Sequence, residues 1–395
     1  MVMFMIFLGF VLVTICSLGW RFLVTGFPKY KKWKWLLLWL LVSALAVGFF
    51  LFVQGKARAG IPIDFWLRQG MIKFFSFWMI FQVAMLVFFP VWSGIAFSRW
   101  VLKNKGQANE GLFQKIGMVF VILALGISLK VGIFPDSWRV VEVEIASPEI
   151  PAGLNGLRIA QISDTHVIYP EDVDQVKAQI EAAKVGKADL LFFTGDLADT
   201  TALIPNTVTV FKEAEKDFPL GVWFVLGNHE YFQGLPLFMA EFEKQKVRLL
   251  RNEGATLSYQ GTSFYLGGVD YPWKGNVFSR DGGGASFDMA AAESDLDRVL
   301  SRKPADLYMV LGAHHPGAFD LSFDKKVGLT LSGHTHASQV GFGGRSLNPF
   351  VKYNWGLYEK DGFWGYVTSG AGEWFPIRFG AQEEVVIFTL RRTSR

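Results

Sequence analysis

Two hydrophobic rhythms divide this chain. Up to residue 135 apolar residues come in long unbroken runs, and after it in short runs that end on polar motifs. Four of the early runs reach the roughly 20 residues that a bilayer crossing needs: Val2–Trp20, Trp35–Gln54, Phe74–Ser98 and Ile116–Phe134. Only the last holds a charge, Lys130, close enough to its end for the side chain to reach the interface. Trp20, Trp33, Trp35, Trp66, Trp92 and Trp100 fall near run ends, as an interfacial aromatic belt would place them. The pattern predicts a four-helix transmembrane region over residues 1–135. No span carries Asp, Glu or His, the residues that mark intramembrane functional sites, so the region reads as an anchor and not as a transporter or channel.

From residue 136 to 395 strands and helices alternate, which predicts a second domain of α/β class. Val140, Val141, Val143 and Ile145 suggest a strand over Trp138–Ile145. Buried strands are predicted at Gly156–Ile162, Ala188–Phe193, Val222–Leu226, Leu307–Leu311 and Val327–Leu331, with helices at Asp172–Val185, Val208–Lys216 and Leu235–Gln245. Each buried strand leads into a polar motif. In order these are Asp164-Thr165-His166, Gly195-Asp196, Gly227-Asn228-His229-Glu230, His314-His315-Pro316 and Gly333-His334-Thr335-His336. Sites in α/β sheets form beyond the carboxyl ends of strands, so five distant loops are expected to converge. Gly195, Gly227 and Gly333 are expected to let the backbone turn sharply there.

Composition sharpens the division. Of 39 Lys+Arg and 35 Asp+Glu, 14 and 3 lie before residue 138, so a basic apolar half (+11) is joined to a mildly acidic one (−7) behind a net charge of +4. An acidic second domain gives no reason to expect nucleic-acid binding. The lone Cys16 excludes an intrachain disulfide and a cysteine-based zinc site. All 6 histidines lie in the polar motifs of the second half, which reserves that residue type for chemistry.

The pooled candidates are Asp164, His166, Asp196, Asn228, His314, His334 and His336. They are oxygen and imidazole donors, more than one tetrahedral ion needs. They suit two divalent ions sharing a carboxylate, and Asp196, after the middle strand, is the natural bridge. A pair of ions about 3.5–4 Å apart activates water and stabilises both oxygens of a phosphoryl transfer. His229 is free to protonate a leaving oxygen, with Glu230 as a candidate orienting partner. His315 is expected at the rim, and Asp199 and Glu230 behind the ligands or at a cap.

The ordered set D-x-H, G-D, G-N-H-[DE], H-x-P and G-H-x-H resembles the calcineurin-like metallophosphoesterase superfamily over residues 150–390. Leu157–Asp164, Leu331–His336 and Arg251-Asn252-Glu253-Gly254 resemble its bacterial membrane-anchored members. The resemblance implies a four-layer α-β-β-α sandwich and a dinuclear metal-dependent phosphohydrolase. It implies that Asp164, His166 and His336 hold one metal, that Asn228, His314 and His334 hold the other, and that Asp196 bridges. The H-x-P pattern selects His314 over His315, and the catalytic set becomes His229, Asn228 and Asp196. One departure stands out: relatives usually follow the last motif with two glycines, where this chain has Ala337-Ser338.

Mn is the expected metal, with Fe, Zn or Co acceptable to the same donors. Basic residues in the first loop (Arg21, Lys29, Lys31, Lys32, Lys34) and third (Arg99, Lys103, Lys105, Lys115) predict cytoplasmic loops. That places the catalytic domain outside the cytoplasm, in the periplasm of a bacterial inner-membrane protein. A tethered site favours substrates confined to the same surface, so a lipid-linked phosphoester or pyrophosphate is expected. The alternatives are a nucleotide phosphodiesterase, a nucleotide-lipid pyrophosphatase, or a membrane sensor or scaffold with a structural metal. Segments 271–289 and 341–366, rich in aromatic and basic residues, are candidates for a rim that meets lipid or substrate.

Overall fold

The computed structural model describes residues 33–59, 61, 63–104, 109–274 and 286–394. The chain divides into two compact units, Met1–Asp136 and Ser137–Arg395. The predicted span Val2–Trp20 lies outside the described residues.

In the first unit, α1 (Trp33–Arg58), α2 (Phe65–Asn104) and α3 (Glu110–Ser128) follow the other three predicted runs, and α3 continues into a π-helical turn at Leu129–Ile133. Among the described residues, three helical segments are long and apolar enough to cross a membrane. The 40 residues of α2 span about 60 Å, twice the hydrocarbon thickness. Its polar residues are used internally: Trp78 Nε1 and Gln82 Nε2 each donate to Ser43 Oγ of α1 at 2.9 Å. Such bonds hold helices together where lipid offers no hydrophobic driving force. Trp92, expected at an interface, is instead buried and meets Phe120 edge-on at 6.2 Å.

The second unit is built on two sheets. In chain order the strands are β1 (Arg139–Ser147), β2 (Arg158–Ile162), β3 (Leu190–Thr194), β4 (Val222–Val225) and β5 (Arg248–Leu249), then β6 (Glu253–Tyr259) and β7 (Thr262–Gly268). They continue with the short pair β8 (Trp273–Lys274) and β9 (Ser286–Phe287), β10 (Met309–Gly312), β11 (Leu329–Ser332) and the short hairpin β12 (Gly341–Phe342) and β13 (Arg345–Ser346). Last come β14 (Gly356–Lys360), β15 (Phe363–Val367) and β16 (Glu384–Arg392). One sheet runs β1-β16-β2-β3-β4-β5 and the other β14-β15-β11-β10-β7-β6. Strands β2 to β5 are parallel, as are β7, β10, β11 and β15.

Burial explains the stacking. Ile159, Phe192, Leu266, Val310, Leu331 and Phe388 point between the sheets and form a dry core. The outer face of the first sheet packs on α4 (Pro170–Val185), α5 (Ile204–Ala214) and α7 (Leu235–Gln245), through Val176, Ile180, Phe211 and Phe242. The outer face of the second packs on α8 (Met289–Arg302) through Leu296 and Val299. The layers are α-β-β-α, as expected. The local pattern did not predict β6, β7, β14, β15, α8 or, least expected of all, β16. Strand β16 inserts between β1 and β2, parallel to the first and antiparallel to the second.

Candidate metal centre

Five loops at the carboxyl ends of β2, β3, β4, β10 and β11 meet at one place and bring all seven predicted ligands together. Asp164, His166 and His336 place donor atoms within 4.8 Å of one another, and Asp196, His314 and His334 form a second such group. Asp196 reaches both, with Oδ2 3.6 Å from His166 Nε2 and 3.2 Å from His314 Nε2. Asn228 Oδ1 closes the second group, 3.2 Å from His314 Nε2 and 2.8 Å from His334 Nδ1. Asn228 opens the short helix α6 (Asn228–Gln233) and is buried, as are all the other candidates except half-buried His334.

The loops are held to one another by their backbones: Asp164 N–H donates to Gly195 O at 2.8 Å, His166 N–H to Asp196 O at 3.1 Å, and Gly333 N–H to His314 O at 3.0 Å. This cross-bracing forces Asp164, His166, Asp196, His334 and His336 to positive φ. L-residues adopt that region at a cost of about 1–3 kcal/mol each, so strain is concentrated on the ligand loops. Of the three glycines expected to turn the chain, only Gly195 has positive φ, at 99°. Gly227 and Gly333 serve close approach instead: a Cβ there would lie 2.2 Å from Asp196 Oδ1 and 2.0 Å from Asp164 Oδ2. Ala337 and Ser338 take φ of 53° and 54°, so the left-handed turn survives without glycine. Ser338 Oγ is fixed there by Asn348 Nδ2 at 3.0 Å and Asn354 Nδ2 at 2.8 Å.

The donor set fits divalent metal. His166 Nε2 faces His336 Nε2 at 2.9 Å, and Asp164 Oδ1 lies 3.3 Å from the latter. Asp164 Oδ2 is buried with no protein hydrogen-bond partner, an orphan that a cation satisfies. His314 Nδ1 sits 2.7 Å from Thr194 O, a bond that places its proton there and leaves Nε2 a lone pair for ligation. Burial opposes ionisation of Asp164 and Asp196, yet neighbouring histidines hold both carboxyls below the usual range. Burial pushes His334 down to about 3 and His336 down to about 4, which leaves neutral imidazoles suited to ligation. Burial also opposes charge on His314, but Asp196 and Asp164 outweigh it and raise the group to about 9.

His229 stands beside the ligands at the half-open mouth. Its backbone N–H donates to Asp196 Oδ1 at 2.8 Å, and its Nδ1 lies 2.5 Å from Asp199 Oδ1. The orienting partner is therefore Asp199 and not Glu230. Glu230 accepts from the backbone N–H groups of Asp196, Leu197 and Gly227 at 3.1, 2.7 and 2.6 Å, which ties two loops together. Asp199 also lies 3.4 Å from His166 Nδ1, so one carboxylate serves both rings. His315 packs inward from the rim, its ring stacked on Phe287 at 4.2 Å and its Nδ1 accepting from Gly317 N–H at 2.9 Å. Tyr271 is buried, with its ring centroid 6.0 Å from His314 and 5.7 Å from His334.

Arg378 had no sequence signal. Its buried guanidinium donates to Gly372 O at 2.6 Å and Ser369 O at 2.8 Å, and to His336 Nδ1 at 3.0 Å. Behind it, burial and then Glu373 push the Glu383 carboxyl up to about 8, against the pull of Arg378. The unfolded value is near 4.5, so the fold resists ionisation and loses stability as pH rises from about 4.5 to about 8. Glu383→Gln cannot ionise. Its thermal midpoint in detergent, minus that of the unaltered protein, should therefore grow between about pH 5 and pH 8. A pH-independent difference would remove Glu383 from the stability balance.

The model of the calcineurin-like phosphoesterase family matches residues 157–338, which holds every ligand motif. An uncharacterized metallophosphoesterase of Bacillus subtilis, YkuE, is 29% identical over 299 residues, 74% of this chain and 99% of that protein. A bovine (Bos taurus) transmembrane protein with metallophosphoesterase domain is 27% identical, over 78% of this chain and 71% of its own length. An uncharacterized metallophosphoesterase of Helicobacter pylori is 28% identical over 73% of this chain and 72% of its own.

Proposed function

We propose that this chain, which matches the calcineurin-like phosphoesterase family over residues 157–338, is a metal-dependent phosphoester hydrolase, anchored in a membrane and acting on a lipid-linked phosphoester or pyrophosphate. The observation that carries this reading is the convergence of two donor groups on Asp196. Asp164, His166 and His336 would hold one divalent ion and Asn228, His314 and His334 the other, with Asp196 available to both. When bound, the two ions supply an activated water and stabilise charge on the attacking and leaving oxygens. Mn is the first metal to test, and Fe, Zn and Co the next.

The protein's own contribution is position and a proton. His229 is fixed through its backbone by Asp196 and through its ring by Asp199. Burial opposes charge on the ring, but Asp196 and Asp199 outweigh it and raise the group to about 10. It thus presents an acid from the mouth of the site to the leaving oxygen. Asn228 keeps its oxygen among His314 and His334, and the buried Tyr271 ring packs near both histidines.

Anchoring is supported by the three apolar helices and by the transmembrane bovine relative. The lipid-linked substrate class follows from tethering, which raises the effective concentration of anything confined to the same surface. The loop charges favour a periplasmic catalytic unit at the bacterial inner membrane, and a phosphatase reporter fused after Arg395 tests that side directly. The substrate test is hydrolysis by the full chain, loaded with Mn, of bis-p-nitrophenyl phosphate, nucleotides and extracted membrane lipids. A kcat/KM about tenfold or more above the other classes is expected for a lipid, and preference for nucleotides would overturn the lipid reading.

A further inference from the structure

The metal edge of the catalytic unit carries an exposed apolar lobe. Phe342 and Phe350 are 77% and 93% exposed, and Val340, Leu347, Trp374 and Phe379 are each more than a third exposed. These residues belong to one body. Val340 pairs with Phe379, Leu347 N–H donates to Val340 O at 2.9 Å, and Gln339 Nε2 donates to Phe375 O at 2.8 Å beside Trp374. The body is fastened to the last metal motif, where Ser346 Oγ donates to Ala337 O at 2.9 Å. Exposed Arg345 faces Phe342 across the β12–β13 hairpin, which adds a positive charge beside the aromatic tip. Scattered surface apolars need no explanation, but a contiguous set marks an interaction site.

Chain connectivity says what lies within reach. β1 runs parallel to β16, and β16 runs antiparallel to β2, so β1 begins at the edge where β2, β3 and β4 end. That is the edge bearing Asp164, Asp196 and Asn228. The entry is also pinned to the base of the lobe: Gln382 Nε2 donates to Ser137 O, and the Arg139 guanidinium lies over the Trp355 ring at 5.6 Å. Only residues 134–138 separate the last helical turn, Leu129–Ile133, from β1. Fully extended, that link spans at most about 20 Å.

We propose that the lobe formed by Val340, Phe342, Leu347, Phe350, Trp374 and Phe379 is a membrane-docking surface that brings the metal edge down to lipid headgroups. The proposal rests on the anchored, lipid-directed reading and specifies how the site reaches its substrate. The link joins this edge in sequence to the last apolar helical segment, which makes the bilayer the apolar phase to test. Aromatic tips with a neighbouring arginine suit the interface with anionic lipid.

The test uses the full chain in nanodiscs of equal parts phosphatidylcholine and phosphatidylglycerol. Because Cys16 is the one cysteine, a Cys16→Ser background accepts a single environment-sensitive label through Phe350→Cys or, as control, Val185→Cys. Val185 is 71% exposed and ends α4, at the opposite edge of the unit. The label at position 350 should emit to the blue of the label at 185 and be quenched by brominated lipid, with 185 unaffected. Equal, water-like emission at both positions would overturn docking. So would shielding of position 350 from iodide without quenching by lipid, which would assign the lobe to a protein partner or a second copy.

The double variant Phe342→Ser, Phe350→Ser supplies the functional arm. Its apparent KM for a lipid substrate in vesicles should rise about tenfold, with kcat/KM for bis-p-nitrophenyl phosphate unchanged. Lipid quenching combined with preference for soluble nucleotides would keep docking and overturn the lipid substrate. Preference for lipid without quenching would do the reverse.

Discussion

Asp196→Asn is expected to lower turnover of bis-p-nitrophenyl phosphate by about 10³-fold or more and to strip metal from the protein. The amide keeps the size of the carboxylate, and its oxygen can still accept from His229 N–H, now 2.8 Å from Asp196 Oδ1. What it loses is the charge that faces both donor groups at 3.6 and 3.2 Å. A divalent ion on either side then has one anionic ligand fewer. The second group becomes wholly neutral, since Asn228, His314 and His334 carry no negative charge. Loss should therefore be greater at the second position, and mass spectrometry of the purified variant should find less than one metal per chain where the unaltered protein holds about two. The fold should persist, because the backbone bonds between Asp164 and Gly195 and between His166 and Asp196 do not involve the carboxylate. A folded variant with both metals and more than a tenth of the activity would break the bridging assignment.

The convergence of the ligands was legible because each motif follows a short apolar strand, and parallel strands deliver their carboxyl ends to one edge. The local pattern could not say which strand closes the sheet. β16 lies more than 200 residues from the neighbour it pairs with in parallel, β1, and no periodicity encodes that pairing. Asp199 was legible only as a nearby acid, since its role depends on Asp196 adopting positive φ and turning the loop back toward His229. Glu230, adjacent to His229 in sequence, points to the backbone instead. As the third residue after Gly227, it answers the free N–H groups at the start of α6. The rim was legible as composition and not as exposure. Phe350 is nearly bare, whereas Trp355 is buried, with its Nε1 donating to Glu384 Oε1 at 3.1 Å. An indole with a polar partner in reach is drawn inward, and a phenylalanine on a tight loop has no such partner.

His229→Ala should lower kcat by about 10²–10⁴-fold while leaving both metals in place. The sets on Asp164 and on Asp196 each close without the ring, although His229 also falls in a third group of donors with His166 and Asp199. The backbone bond from His229 to Asp196 also survives truncation at Cβ. The loss should therefore sit in kcat rather than in metal content. The leaving group supplies the sharper readout. An alkoxide needs the proton that His229 carries, whereas p-nitrophenolate is stable enough to depart without it. The ratio of unaltered to variant kcat should then be largest for alkyl esters and about 10-fold or less for p-nitrophenyl esters. Asp199→Asn keeps the ring but removes the carboxylate 2.5 Å from Nδ1 that helps hold its proton, so it should show the same leaving-group trend at smaller amplitude. Equal loss on both ester classes would assign His229 to holding the phosphoryl group, and loss of metal would place it among the ligands.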